Sequence, residues 1–316
     1  SVAMKCFLKS LSIRKAALGD NDISVAESHC WIGNIHRENE EFEAARESFV
    51  AAHRIKSLAL GKDHPECAEI LHNVGVVCDD LGLYSESLSS FREALIIRKA
   101  NARSVYDVNE MGDICDTLNC IANVYRAKMD RQRALQFFDQ SLKRRARIVS
   151  ATLSDDDEQV SILLSTYEDV IALLKIELKE SSNKSEIPGK MGSLLVEMGL
   201  LYDHRLYKPT KALIYFQRAL QVFKRMKDFK KIGQVLSHMA SIHVKMTDNQ
   251  KALKCFRDAL FLQQKSLKGD SLEMADTLHN IGNCLAKDGE FEKCLDTYAE
   301  SLRIKRNLLP GEHVSI

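Results

Sequence analysis

Apolar positions recur every three or four residues along almost the whole chain, and strand-like alternation is hard to find. That periodicity predicts long amphipathic helices and an all-α fold. Six segments share a finer pattern: a small residue, an aromatic four later, and another small residue three after that. The sets are Ala45/Phe49/Ala52, Ser87/Phe91/Ala94, Ala134/Phe138/Ser141, Ala212/Phe216/Ala219, Ala252/Phe256/Ala259 and Cys294/Tyr298/Ser301. Spacings of four and three place each set on one helical face, where small residues admit a neighbouring helix and the aromatic fills the space between. Upstream of each set an apolar residue precedes Gly or Ala: Ile32-Gly33, Val74-Gly75, Ile121-Ala122, Met198-Gly199, Met239-Ala240 and Ile281-Gly282. Glycine inside a helix costs up to about 1 kcal/mol relative to Ala. Recurring at equivalent sites, it predicts close helix–helix contact rather than a break.

The paired signatures resemble the tetratricopeptide repeat (TPR), a helix A–turn–helix B unit. The resemblance implies a right-handed α-α superhelix, irregular in the middle. Ala45 to Ser87 is 42 residues, Ser87 to Ala134 is 47, Ala212 to Ala252 is 40 and Ala252 to Cys294 is 42. The simplest repeats run 34 residues, so these carry longer helices or loops. The period, together with LGKDHPECAEILHNVG (60–75), resembles the kinesin light chain subfamily, whose linkers read Leu-Gly-Lys-Asp-His-Pro. Gly61 suits the end of a helix B and Pro65 the first turn of the next helix, with Asp63 as its expected cap. Weaker copies are LGDNDISVAESH (18–29), LKGDSLEMADTLHNIG (267–282) and LLPGEHVSI (308–316). Ala3, Phe7 and Ser10 repeat the helix B set at the start, and neither end has a polar capping helix, so the chain reads as a piece of a longer array.

The expected organisation is a first array over 1–150 (a helix B remnant plus three repeats), an irregular helix and loop over 151–190, and three further repeats over 191–316. Ala134 to Ala212 is 78 residues, nearly two repeats, yet only one helix reads clearly between them. Ser154 to Asp157 is a good helix start, and Val160, Leu163, Leu164, Tyr167, Ile171 and Leu174 continue a stripe towards residue 180. ESSNKSEIPGK (180–190) has loop composition, and a helix B signature is missing. The reading favours this loop running nearly straight along the stack, so that 190–205 points the same way as 155–180.

Composition narrows the function. Forty-five basic against 44 acidic residues leave a net charge of +1. A sequence-blind nucleic-acid binder needs a cationic surplus, and charge-driven membrane binding is disfavoured equally. No apolar run approaches the roughly 18–20 residues needed to span a bilayer. Nine cysteines without CxxC pairs suit reduced thiols and a cytoplasmic location. Residues 155–158 lack calcium-loop spacing. His64, Cys67 and His72 lack a completing second cluster for zinc. No GxSxG elbow or phosphate loop frames a catalytic centre. The expectation is therefore no enzyme activity, no metal and no cofactor. The basic stretch KRRAR (143–147) reads as a solvated helix end, with an acidic-partner or localisation patch as the alternative.

In such arrays helices A line the concave face. The expected peptide-binding groove comprises Trp31, Asn34, Arg37, His72, Asn73, Asn119, Asn123, Arg126, His238, Ser241, His279, Asn280 and Asn283. Glu27, Glu69, Val76, Asp116, Glu197, Leu200 and Asp203 complete the lining. An asparagine both donates and accepts, so a row of them suits the backbone of an extended peptide; the plain alternative is a solvated helix face. Resemblance to the kinesin light chains implies cargo-peptide binding through Asn73, Asn119 and Asn280, with Cys120 and His238 in place of other groove asparagines. The TPR class that grips a C-terminal carboxylate is matched only at Asn34 and Asn73; Cys30, Asp116 and Cys120 replace its cations. The leading expectation is a scaffold for extended segments of protein partners, as a cargo adaptor or with other subunits of a motor or signalling complex. A polarity- or signalling-type TPR regulator, with turns such as GEF (289–291) and GLY (82–84), or the regulatory region of a larger enzyme, are the alternatives.

Overall fold

A computed structural model describes residues 2–103, 108–151, 157–180, 186–266 and 269–309, excepting the side chain of residue 157. Among these residues there are fourteen α-helices and no strand. They are α1 (Val2–Leu18), α2 (Ile23–Glu38), α3 (Phe42–Leu60), α4 (Pro65–Asp80), α5 (Tyr84–Asn101), α6 (Val108–Ala127) and α7 (Arg131–Ala151). Then follow α8 (Asp157–Glu180), α9 (Glu186–His204), α10 (Pro209–Met226), α11 (Phe229–Lys245), α12 (Asn249–Ser266), α13 (Leu272–Lys287) and α14 (Phe291–Leu308). The helices cluster into two compact units, residues 1–166 and 167–316, divided inside α8.

Six helix pairs are tight hairpins: α2/α3, α4/α5 and α6/α7 in the first unit, α9/α10, α11/α12 and α13/α14 in the second. The small–aromatic–small sets make their seams. In the first five sets every member is at most 1% exposed, while Tyr298 of the sixth is only half-buried. The glycine expectation is met in detail. A Cβ added at Gly33 would stand 2.9 Å from the Phe49 ring, at Gly75 2.7 Å from Phe91, at Gly199 2.7 Å from Phe216, and at Gly282 2.6 Å from Tyr298. Where serine replaces alanine in the sets, its hydroxyl donates to the facing helix: Ser87 to the Gly75 carbonyl (2.8 Å), Ser141 to Cys115 (3.1 Å) and Ser301 to Ala275 (2.6 Å).

The turns inside the hairpins share one backbone feature. Five residues before the first small residue of each set stands a residue with positive φ: Glu40, Gly82, Met129, Tyr207, Thr247 and Gly289. Only two of the six are glycine, so the turn geometry is imposed by the packed helices.

Three local expectations are corrected. Helix α4 is capped by His64, whose Nδ1 accepts from the Glu66 amide at 3.3 Å, rather than by Asp63. The loop expected at 180–190 is shorter, because α9 begins at Glu186. The path of the chain also differs from the straight return. Helix α8 has 24 residues and spans about 36 Å. The six Cα steps from Glu180 to Glu186 cover at most about 23 Å, too few to retrace it. The Tyr167 hydroxyl, thirteen residues before the end of α8, donates to Glu197, eleven residues into α9, at 2.6 Å. Helix α9 therefore runs antiparallel to the C-terminal part of α8. The expected cap at Ser154 to Asp157, and most of the terminal linker at 310–316, lie outside the described residues.

Candidate functional site

The first unit holds eight of the singled-out groove residues on three successive helices A. Trp31 of α2 is 55% exposed and stacks on Phe7 of α1, ring centroids 5.8 Å apart. Asn34 and Arg37 are half-buried on the same helix. On α4, His72 meets the Phe91 ring edge-on at 5.3 Å, with the Arg98 guanidinium 3.4 Å from its Nδ1. Burial, then the Arg98 and Arg37 charges, push the His72 imidazole down to about 4. Asn73 is half-buried beside it, and Arg126 at the end of α6 is exposed.

Asn119 and Asn123 stand one turn apart on α6. The Asn119 Nδ2 donates to the Thr166 hydroxyl at 3.2 Å. Its Oδ1 is buried with no donor, and so is the Oδ1 of Asn123. Between them burial pushes the Cys120 thiol up to about 12.

The second unit holds the rest. His238 of α11 stacks flat on Phe216 at 5.5 Å, and burial lowers its pKa. The exposed Ser241 donates to the carbonyl of Ser237 at 3.1 Å. On α13, His279 tilts against Tyr298 at 5.2 Å, Asn280 is half-buried, and the Asn283 Oδ1 accepts from the Tyr298 hydroxyl at 2.6 Å. Trp31 and His238 occupy the same register position, two residues before the close-contact Gly or Ala. Both rings lie on the aromatic of the preceding helix B, so they act as wedges between repeats.

The electrostatics beneath these faces centre on residues that the spacing alone did not single out. Eleven residues after the first small residue of each helix B set stand Lys56, Arg98, Arg145, Phe223, Gln263 and Lys305. Lys56 pairs with Glu66. Arg98 donates to the Asp113 carbonyl at 2.8 Å and to the Thr117 hydroxyl. Lys305 reaches Asp276 at 3.0 Å. Arg145 is wholly buried, holding Asp116 at 2.5 Å and Gln159. The KRRAR stretch is therefore no continuous basic surface: its central arginine points inward. The common spacing from the small residue was the signal that could have found this row.

His64, Cys67 and His72 have separate partners: the α4 cap, the Gly61 carbonyl at 3.4 Å, and the Phe91 ring. Among the described residues no group of three or more His, Cys, Asp or Glu side chains could hold a metal ion, and no helix is long and apolar enough to cross a membrane. None of the nine cysteines is paired; burial pushes the Cys30 and Cys115 thiols up to about 11.

Repeated hairpins with small–aromatic–small seams define an α-helical repeat protein. Tetratricopeptide-repeat family models match residues 24–100 and 231–307, and a second such model matches 114–156. The chain belongs to the tetratricopeptide repeat family, whose fold is that of a protein–protein interaction scaffold. No curated protein compared with the sequence matches it. Among solved structures it is similar to BtubC (BKLC) from P. vanneervenii, at 17% identity and a TM-score of 0.38, covering 88% of this chain and 96% of that one. It is also similar to a putative kinesin light chain with nearly identical TPR-like repeats from Podosopora anserina, at 12% identity and a TM-score of 0.36, covering 92% and 99%. A third is the TPR2AB-domain:pHSP90 complex of yeast Sti1, at 14% identity and a TM-score of 0.35, covering 90% and 92%. At these scores the likenesses add nothing to the family assignment.

Proposed function

We propose that this chain binds an extended segment of a partner protein along its helices A, with Asn119 and Asn123 hydrogen-bonding the segment's backbone. The observation that carries the reading is the pair of buried, donorless Oδ1 atoms on α6. A buried acceptor without a donor costs about 1–3 kcal/mol, which a side-chain turn that brings the oxygen to an incoming N–H removes. The two side chains lie one turn apart, about 6 Å along the helix. Alternate amides of an extended strand are separated by about 6.6 Å. A β-type peptide therefore presents donors at matching intervals whatever its side chains are. Asn73, half-buried on the preceding helix A, extends the same polar row.

A cargo-adaptor role follows from the LGKDHP-type linker at 60–65 and the groove asparagines, and is part of this proposal. The reaction-bearing alternative has less behind it: Asp116 and Asp203 are engaged in the structural pairs Arg145–Asp116 and Lys245–Asp203. The reading is tested by selecting binders from a displayed library of random extended peptides. Peptides recovered on the native chain should bind the Asn119→Ala/Asn123→Ala variant about 5- to 150-fold more weakly, the equivalent of 1–3 kcal/mol. Recovery of no peptide, or unchanged affinity in a folded double variant, contradicts it.

A further inference from the structure

The row of helix B cations breaks in the second unit, and the break has chemical consequences. In the first unit Lys56, Arg98 and Arg145 each reach a residue on the first turns of the helix that follows: Glu66, Asp113 and Gln159. Nine residues before the close-contact position of helices A, the chain has Glu66, Asp113 and Glu273 on α4, α6 and α13. On α9 and α11 it has Lys190 and Lys231 instead. At the end of α10 the helix B cation is replaced by Phe223, 1% exposed and packed so closely on Gly192 that an added Cβ there would lie 2.5 Å from its ring. The acid found six residues before the close-contact position in α4, α6 and α13 (Glu69, Asp116 and Asp276) is Ser193 in α9. Both members of the buried pair are thus exchanged for neutral groups, and a cation enters from the neighbouring helix.

That cation is half-buried. The Lys231 Nζ lies 5.1 Å over the Phe223 ring and 3.5 Å from the Ser193 hydroxyl. It borders a cavity of about 180 Å³ lined by Ser193, Val196, Glu197, Phe223, Lys231, Gln234, Val235 and His238. Three carboxylates nearby are engaged elsewhere, Glu273 accepting from the Gln234 side-chain amide at 3.2 Å. Glu197 accepts the Tyr167 hydroxyl at 2.6 Å, and Asp228 caps α11, accepting from the Lys231 amide at 3.1 Å. Asp203, near His238, is held by Lys245 at 2.7 Å and His204 at 3.1 Å. The Ser193 hydroxyl donates to the Gly189 carbonyl at 3.0 Å, so the cavity presents an ammonium, one amide N–H and an imidazole to whatever enters it. An ammonium beside an aromatic face, away from bulk water, gains more from an anion than an exposed lysine does.

We propose that this cavity is a carboxylate subsite, taking one Asp or Glu side chain of the partner segment, with Lys231 supplying the charge and the second Gln234 amide N–H and the His238 ring the hydrogen bonds. It rests on the reading of the chain as a peptide binder and adds that a segment bound on the second unit is acidic where it meets α9 and α11. A single cation with Glu197 in the wall suits a monoanion better than a doubly charged phosphate.

The test uses the full chain with labelled histidine rings and side-chain amides, titrated by NMR. The probe is N-acetyl-glutamate N-methylamide; the comparators are its glutamine analogue and the correspondingly blocked phosphoserine. The glutamate probe should move the His238 and Gln234 signals and bind roughly tenfold or more tightly than the glutamine analogue. Lys231→Gln should erase that difference, and Lys231→Arg should retain it. No response, an equal response to the glutamine analogue, persistence in Lys231→Gln, or tighter binding of phosphoserine each overturns the proposal. Failure of the random-peptide selection would sink the peptide reading but leave the glutamate titration standing, so the two failures are distinguishable.

Discussion

Single residues carry opposite lessons at positions that look alike in the sequence. Gly75 and Gly112 both lie within helices A and both are buried. A Cβ at Gly75 meets the buried Phe91 ring at 2.7 Å, whereas at Gly112 its nearest neighbour is the Gln159 amide at 3.9 Å. Gly75→Ala should therefore destabilise by about 1–2 kcal/mol, overpacking outweighing the gain in helix propensity. Gly112→Ala should stabilise by about 0.5–1 kcal/mol for propensity alone. Chemical denaturation of the two variants measures both signs. Thr247 holds φ at +61°, which a β-branched residue adopts at a cost. Thr247→Gly should raise stability by up to about 1 kcal/mol, and a lower midpoint would contradict the account of the turn. His72, held near 4 by burial and two arginines, is neutral in the fold but has an ordinary value near 6.5 when unfolded. The unfolded chain thus binds more protons between those values. The stability contributed by neutral His72 is fully present above about 6.5 and is lost as pH falls towards 4. Urea midpoints should fall as pH drops from 7 to 4, and His72→Asn should flatten that dependence.

At the scale of elements, the hairpins were legible because their seams need small residues at fixed spacing. Helix α8 escaped that reading for a physical reason. Leu163, Tyr167 and Val170 keep the spacing of four and three and are buried to 0, 3 and 2%, but bulky residues stand at the small positions. The period was present and the size code was not, so a helix B signature read as missing. Arg145 was misread for the converse reason. A basic run at a helix end is ordinarily solvated, and the inward turn of one member depends on Asp116, 29 residues earlier, and Gln159, 14 later. Removing Asp116 leaves a wholly buried guanidinium with Gln159 as its remaining side-chain acceptor. Because the Asp116 side chain is half exposed, Asp116→Ala should cost about 1–3 kcal/mol by denaturation, and no loss would contradict the account of Arg145 as held from its buried end.

For the molecule as a whole, the family and the all-helical class were readable from repeat spacing, while the state of the candidate groove was not. Asn119, Asn123 and Asn283 all read in the sequence as groove asparagines. The structure gives the Asn283 oxygen a donor in Tyr298 and leaves the other two without one, because the neighbouring side chains come from other helices. The central claim is that those two oxygens receive peptide amides. A double-mutant cycle tests it directly, pairing Asn119→Ala/Asn123→Ala with backbone N-methylation of a selected peptide and reading affinity by calorimetry. If the contact exists, methylating the two contacting amides should weaken the native complex but scarcely affect the variant, a coupling of about 1–3 kcal/mol. Additive losses, with coupling near zero at every methylated position, would mean that the asparagines do not hold the peptide backbone.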